Sequence, residues 1–293
     1  MPDLKSIYGM KYTVLSESQL EIIEIQNQFC SAVISLQGAQ ILKFQSKTNQ
    51  TKEDLLWLSE LNQYKPGKAI RGGIPLCFPW FGGHKIDSTY PAHGFARYLP
   101  WQLIDAIYSE STGHELVFQL KDTAHTRSLW NHSFQIQIKI RCQKNLTLHF
   151  EVVNTGDASF EYEFAWHSYF PTDIASAKIK GLRHTEYIDQ LQDMQCFTQA
   201  EEYIEIKQEI DRIYLKTQGI FEISSLQKPL IYVESDASGA VVWNPWIDKT
   251  QRLADVDDHA WQKFLCLECG QLKGASVKLA PHQSKIYKLM ISH

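Results

Sequence analysis

The chain has 293 residues, 44% of them hydrophobic and 12% aromatic, with 29 basic against 33 acidic side chains and a formal net charge of −4. That composition belongs to a globular chain able to bury a large core, and it excludes disordered and collagen-like classes. The slight acidic balance provides no field to gather nucleic acid or an anionic membrane, so any anionic ligand must be held by local groups.

The first residues, MPDLKSIYGMKYTV, lack a basic segment followed by an apolar one, and no stretch approaches eighteen uncharged apolar residues. A cytoplasmic protein is expected. Six scattered cysteines, at 30, 77, 142, 196, 266 and 269, fit a reduced compartment.

In chain order, LEIIEIQNQ is the first segment with the period-two alternation of a half-buried strand. The segment from about Pro66 to Pro100 follows, rich in Gly, Pro and aromatics and too long for an ordinary connection. It contains RGGIPLCFPWFGGH (71–84) and PAHGFAR (91–97). In the first, two glycines after Arg71 permit positive φ and a close approach of backbone to ligand, and arginine offers a planar fork to carboxylate or phosphate. Structural salt bridges explain Arg71 and Arg97 equally well. His93 either reaches a ligand or holds the loop. Nucleotide-phosphate motifs are absent.

HELVFQLKD, FQIQIKIRC and LTLHFEVVN alternate again, the last two forming a hairpin across QKN. EYEFAWHSYFPTDI places His167 beside Tyr169 on one face, where a histidine is either a satisfied core residue or a catalyst in need of a partner. EYIEIKQEIDRIYLK carries Asp211 in a strand-like run, next to Arg212, which offers it a surface pair. PLIYVESD is a further strand, and VVWNPW (241–246) is either packing or a wall for a sugar ring.

DHAWQKFL reads as a short helix, and KFLCLECG as a strand with Glu268 on the face of Phe264 and Cys266. A carboxylate there is costly unless it is paired or employed; a salt bridge to Lys or Arg is the alternative. Cys266 and Cys269, three apart on a strand, face opposite sides and cannot readily share a metal or disulfide. KIYKLMIS completes the strands. With no alternation of strands and helices, the pattern predicts an all-β, large antiparallel sandwich with residues 1–293 in one domain.

Taken together and in this order, IRGGIPLCFPWFG, HGFAR, FAWHSYF, DRIY, VVWNPW and FLCLECG resemble the hexose-6-phosphate mutarotases (glucose-6-phosphate 1-epimerases) of the aldose 1-epimerase superfamily. The resemblance runs from about Leu15 to the C-terminus. It implies a galactose-mutarotase-like supersandwich, no metal or organic cofactor, and a hexose phosphate as small-molecule substrate. By the same resemblance His167 is the general acid on the ring oxygen and Glu268 the general base on the anomeric hydroxyl. Arg71 and Arg97 would hold the phosphate, Asp211 sugar hydroxyls, and His93 would be a further substrate contact. Position 92 is alanine where some relatives carry a glutamine that touches substrate.

A monomer is expected, with neither nucleic acid nor membrane as partner. Two other functions stay open: an aldose 1-epimerase acting on unphosphorylated galactose or glucose, and a carbohydrate-binding or sensing module without chemistry. Arginines paired to internal carboxylates would favour the neutral sugar.

Overall fold

Strands Phe134–Cys142 and Leu146–Asn154 bury every second side chain, and they pair in antiparallel register around a three-residue turn. The hairpin read from their alternation is present. The structure, a computed structural model, describes residues 6–15, 18–47, 53–226 and 228–293. Among these no helix is long and apolar enough to cross a membrane.

The hairpin lies within a nine-stranded antiparallel sheet that also takes in Gly113–Lys121, Ile231–Ser235 and Ser284–Ser292. An eight-stranded sheet is ordered Gln195–Thr198, Glu186–Asp189, Ile210–Tyr214, Gly239–Asn244, Phe264–Gln271, Phe164–Trp166 and Leu76–Cys77, with Tyr169–Pro171 also on Phe264–Gln271. The two sheets pack face to face. Phe164 of the second meets Phe150 and Tyr287 of the first at ring distances of 5.1 and 4.4 Å. Met10–Val14, Glu21–Gln26, Cys30–Ser35 and Gln40–Ser46 form a separate four-stranded meander.

The eight-stranded sheet is apolar on both faces, which explains the unbroken burial of Gly239–Asn244. One face, with Phe164, Trp166, Leu265, Leu267 and Cys269, joins the main core; the other, with Ala165, Tyr169, Ile213, Val241, Trp243 and Cys266, forms a second cluster beneath the loops. Cys266 and Cys269 therefore point to opposite sides, as their spacing requires.

Two segments depart from the sequence reading. EYIEIKQEIDRIYLK is not one strand: Tyr203–Glu205 joins the nine-stranded sheet and Ile210–Tyr214 the eight-stranded one, with the turn at 206–209 carrying the chain between layers. DHAWQKFL forms only a single 3₁₀ turn, Ala260–Gln262, before Phe264 enters a strand. Its Trp261 and Phe264 are three apart, a spacing that suits one tight turn as well as a helix.

The long segment after Pro66 is ordered by backbone contacts. Gly73 has φ +64°, and a Cβ there would sit 2.1 Å from the Ile41 carbonyl oxygen. This second glycine after Arg71 has the positive φ expected of it, and packing against the chain's own backbone is what demands it.

Candidate active site

The second face of the eight-stranded sheet carries two rows of side chains. Tyr169, Cys266, Trp243 and Asp211 stand in register across four strands. One step along, Glu268, Val241 and Ile213 form the neighbouring row. His167 completes that row: Trp166 faces Cys269 and Tyr169 faces Cys266, so the two residues between continue the same register and set His167 opposite Glu268.

The imidazole Nε2 and the carboxylate Oε1 are 3.5 Å apart, with both side chains buried. That is longer than a good N–H···O hydrogen bond. His167 Nδ1 and Glu268 Oε2 have no hydrogen-bond partner. His167 is held by parallel stacking on Tyr169, centroids 4.8 Å apart and 9° between planes, and by the edge of His93 at 5.6 Å.

Above these rows lies a cavity of about 280 Å³, lined by Arg71, Phe81, Gly82, His93, His167, Gln190, Asp211, Trp243, Lys249, Leu253 and Glu268. A larger, more open depression between Tyr8, Gln28, Lys47 and Glu110 has only one carboxylate and no histidine in its lining. Five of the six residues singled out from the sequence thus share one cavity wall. Arg97 is the exception: it does not line the cavity, yet it is close enough for its charge to act on His93, His167 and Glu268.

The arginines differ in their partners. Arg71 donates from Nε and Nη2 to the Asp255 carboxylate, at 3.1 and 3.2 Å, and from Nη1 to the Tyr169 hydroxyl at 3.2 Å. It is therefore not a free phosphate fork, because an internal carboxylate already occupies two of its donors. Arg97 donates to the Ala92 carbonyl and the Tyr98 hydroxyl, each at 2.9 Å, and its buried Nε has no hydrogen-bond partner. Among the described residues it has no carboxylate partner.

His93, at φ +64°, accepts the Gly82 N–H on Nδ1 at 3.3 Å. Burial, with the charges of Arg97 and Arg71, lowers its pKa to about 3, so at neutral pH it is an uncharged ring carrying its proton on Nε2. Burial likewise drives His167 well below the usual histidine range, with His93, Arg97 and Arg71 acting in the same direction. Glu268 is pushed well above the usual carboxylate range by burial and then by the charge of Asp211.

Several lining residues were not found from the sequence. Lys249 follows the VVWNPW stretch on a five-residue helix, Trp246–Thr250; Gln190 and Leu253 come from loops. The tryptophans of VVWNPW divide, Trp243 lining the cavity and Trp246 packing on Trp261 at 4.3 Å. Among the described residues no group of three or more His, Cys, Asp or Glu side chains is placed to hold a metal ion.

The family profile described as "Aldose 1-epimerase" matches residues 21–292. The chain belongs to the aldose 1-epimerase family. Two relatives carry the name "Putative glucose-6-phosphate 1-epimerase". One, from Cenchrus ciliaris, is 32% identical over 82% of this chain and 74% of its own length. The other, from Salmonella typhimurium, is 31% identical over 87% of this chain and 85% of its own. A crystal structure of a "putative mutarotase" from Salmonella typhimurium superposes with a TM-score of 0.88 at 28% identity, covering 97% of this chain and 92% of that one. The large antiparallel architecture expected from the strand pattern, and the mutarotase-like fold implied by the motif resemblance, are both observed.

Proposed function

We propose that this aldose 1-epimerase family member interconverts the α and β anomers of a hexose 6-phosphate, with glucose 6-phosphate as the leading substrate, His167 as acid and Glu268 as base. The observation that carries the reading is the His167–Glu268 pair at 3.5 Å on the cavity floor. The two atoms that exchange protons in the reaction, the ring oxygen and the anomeric oxygen, are bonded to the same carbon. An acid and a base serving them must stand side by side without being consumed in a bond to each other.

In the opening step the Glu268 carboxylate takes the proton of the anomeric hydroxyl while the His167 imidazolium gives one to the ring oxygen. The bond from C1 to the ring oxygen breaks, leaving an open-chain aldehyde, a protonated Glu268 and a neutral His167. Rotation about C1–C2 presents the other carbonyl face, and the reverse transfers close the ring. The pair holds one proton throughout. Burial favours that proton on Glu268 with His167 neutral, the arrangement that accompanies the open-chain aldehyde.

Asp211 and the Nε2–H of His93 are assigned to sugar hydroxyls, and Trp243 and Phe81 to the ring's apolar face. The unpaired charge of Arg97 supports a phosphate contact there, with Arg71 contributing its field from a fixed position. The Arg71–Asp255 pair supports one other reading, an aldose 1-epimerase of neutral sugars.

Magnetisation exchange between the two anomeric proton signals tests this, measured on glucose 6-phosphate, glucose and galactose. Acceleration for the phosphate alone is expected. Acceleration for free sugars alone would establish the neutral-sugar reading, and none for any sugar would leave a binding module.

A further inference from the structure

Asp211 is half-buried, where a carboxylate is under pressure to take a proton. It faces Glu209 from its own chain segment, Glu268 from the adjacent row, and Cys266 and Trp243 from its own row, with His167 and Arg71 across the cavity. Two groups oppose that pressure. Gln190 Nε2 donates to Oδ1, and Lys249 Nζ lies 3.5 Å from Oδ2. Both carboxylate oxygens are thereby oriented, from a loop on one side and a helix on the other.

Lys249 is not a solvated surface lysine. Its ammonium stands 3.1 Å from Glu209 Oε1 and 5.8 Å above the Trp243 ring, and its side chain is one-third exposed. It is tethered by the short helix that begins two residues after the strand carrying Trp243. It lines the cavity yet has no place in the proton transfers derived above.

We propose that Lys249 is a positioning residue, which, clamped between Glu209 and Asp211 over Trp243, holds the Asp211 carboxylate as an oriented anion that accepts sugar hydroxyls. This rests on the anomerase reading of the same cavity. An ionised Asp211 accepts hydrogen bonds at both oxygens; a protonated one gives up an acceptor. Burial and Glu209 drive Asp211 upward, while Lys249 and the Gln190 hydrogen bond hold it down. The Asp211 charge in turn raises the proton affinity of Glu268, so the lysine also supports a stronger base without touching it.

Two measurements test the proposal on the full chain. The first follows Asp211 by carboxyl carbon NMR in wild type, K249M, K249R and E209Q, and needs no turnover. Asp211 is expected to titrate higher in K249M, close to wild type in K249R, and lower in E209Q, which leaves the ammonium to Asp211 alone. The second is the anomeric exchange rate of glucose 6-phosphate against pH. K249M is expected to raise KM about tenfold at acidic pH, the size of one charged hydrogen bond, and to recover as pH rises. An unmoved Asp211 titration, a KM loss equal at every pH, or K249R as defective as K249M would overturn the assignment. A wild type inactive on all sugars, with the Asp211 shift present, would instead overturn the anomerase reading; K249R and E209Q keep the test decisive should K249M fail to fold.

Discussion

His167 and Glu268 face one another at a two-residue gap between pairings of the same antiparallel register, Trp166 with Cys269 and Tyr169 with Cys266, although they lie 101 positions apart in the chain. Facing residues in a sheet direct their side chains to the same side. The proposed acid and base are therefore set by backbone hydrogen bonding between Phe264–Gln271 and the strands on either side of His167, not by a mobile loop. Stacking on Tyr169 fixes the plane of the imidazole. A rigid pair suits a reaction that must run equally well in both directions.

Either half of the pair is indispensable on this account. His167→Asn and Glu268→Gln are each expected to lower kcat by about 10²–10⁴, the usual worth of a positioned acid or base. Exchange spectroscopy on glucose 6-phosphate gives kcat directly, and a variant turning over at the wild-type rate would exclude that residue from proton transfer.

The pH profile follows from the opposite shifts of the two groups. An unperturbed Glu and His would hold one proton between them only from about pH 4.3 to 6.5. Here His167 is lowered and Glu268 raised, so the acid limit of the one-proton state belongs to His167 and its alkaline limit to Glu268. Turnover is expected to be bell-shaped in pH. It falls in acid, where a second proton removes the base, and in alkali, where loss of the last proton removes the acid. A decline centred on pH 6.5 would show that burial does not set these values.

Much of this arrangement was legible in the sequence, and the reasons for the rest are specific. Strict alternation revealed Phe134–Cys142 and Leu146–Asn154, and the same rule put Glu268 on the face of Cys266 and Phe264. That face became the cavity floor. Nothing in the local pattern could pair His167 with Glu268, because register between distant strands depends on the whole sheet. Asp255, Gln190 and Lys249 come from loops or a helix of five residues, and only tertiary packing brings them to Arg71 and Asp211. For the same reason the sequence could not distinguish Arg71, paired to Asp255, from Arg97, held by the Ala92 carbonyl and the Tyr98 hydroxyl.

That difference separates two substitutions. Arg97→Ala is expected to weaken glucose 6-phosphate by about 1.5–3 kcal/mol for each charged hydrogen bond lost, with little effect on glucose. Arg71→Ala strands Asp255 and the Tyr169 hydroxyl, so it is expected to reduce activity on both sugars and to lower the melting temperature. Parallel assays on the two sugars, with a thermal melt of each variant, check the contrast. An Arg71→Ala variant with selective loss on the phosphate would restore Arg71 as a direct phosphate contact.

The loop that presents His93 depends on Gly94. Its φ is +72°, and a Cβ there would lie 2.0 Å from the Phe78 carbonyl oxygen, which accepts from Phe95 N–H at 2.9 Å. Gly94→Ala is expected to cost at least about 1–3 kcal/mol from the backbone conformation alone. The contact with Phe78 must also open, which displaces His93 and raises KM. Urea denaturation measures the first effect; unchanged stability would mean that the loop has an alternative path.

If phosphate binds at Arg97 as proposed, it is also linked to His167 through the field of the arginines. Arg97 and Arg71 both hold His167 away from its charged form, after burial and His93. A dianion placed against Arg97 cancels part of that field and raises the proton affinity of His167. The proton can then move from Glu268 to His167, which creates the carboxylate base and the imidazolium acid together. The substrate's own phosphate would thereby arm the pair, and free glucose would not. Nitrogen-15 spectra of histidine-labelled protein give the check: inorganic phosphate, titrated in at fixed pH and ionic strength, is expected to shift His167 towards imidazolium in wild type but not in Arg97→Ala. An equal response in both proteins would place the anion elsewhere and leave the arming of His167 to the sugar itself.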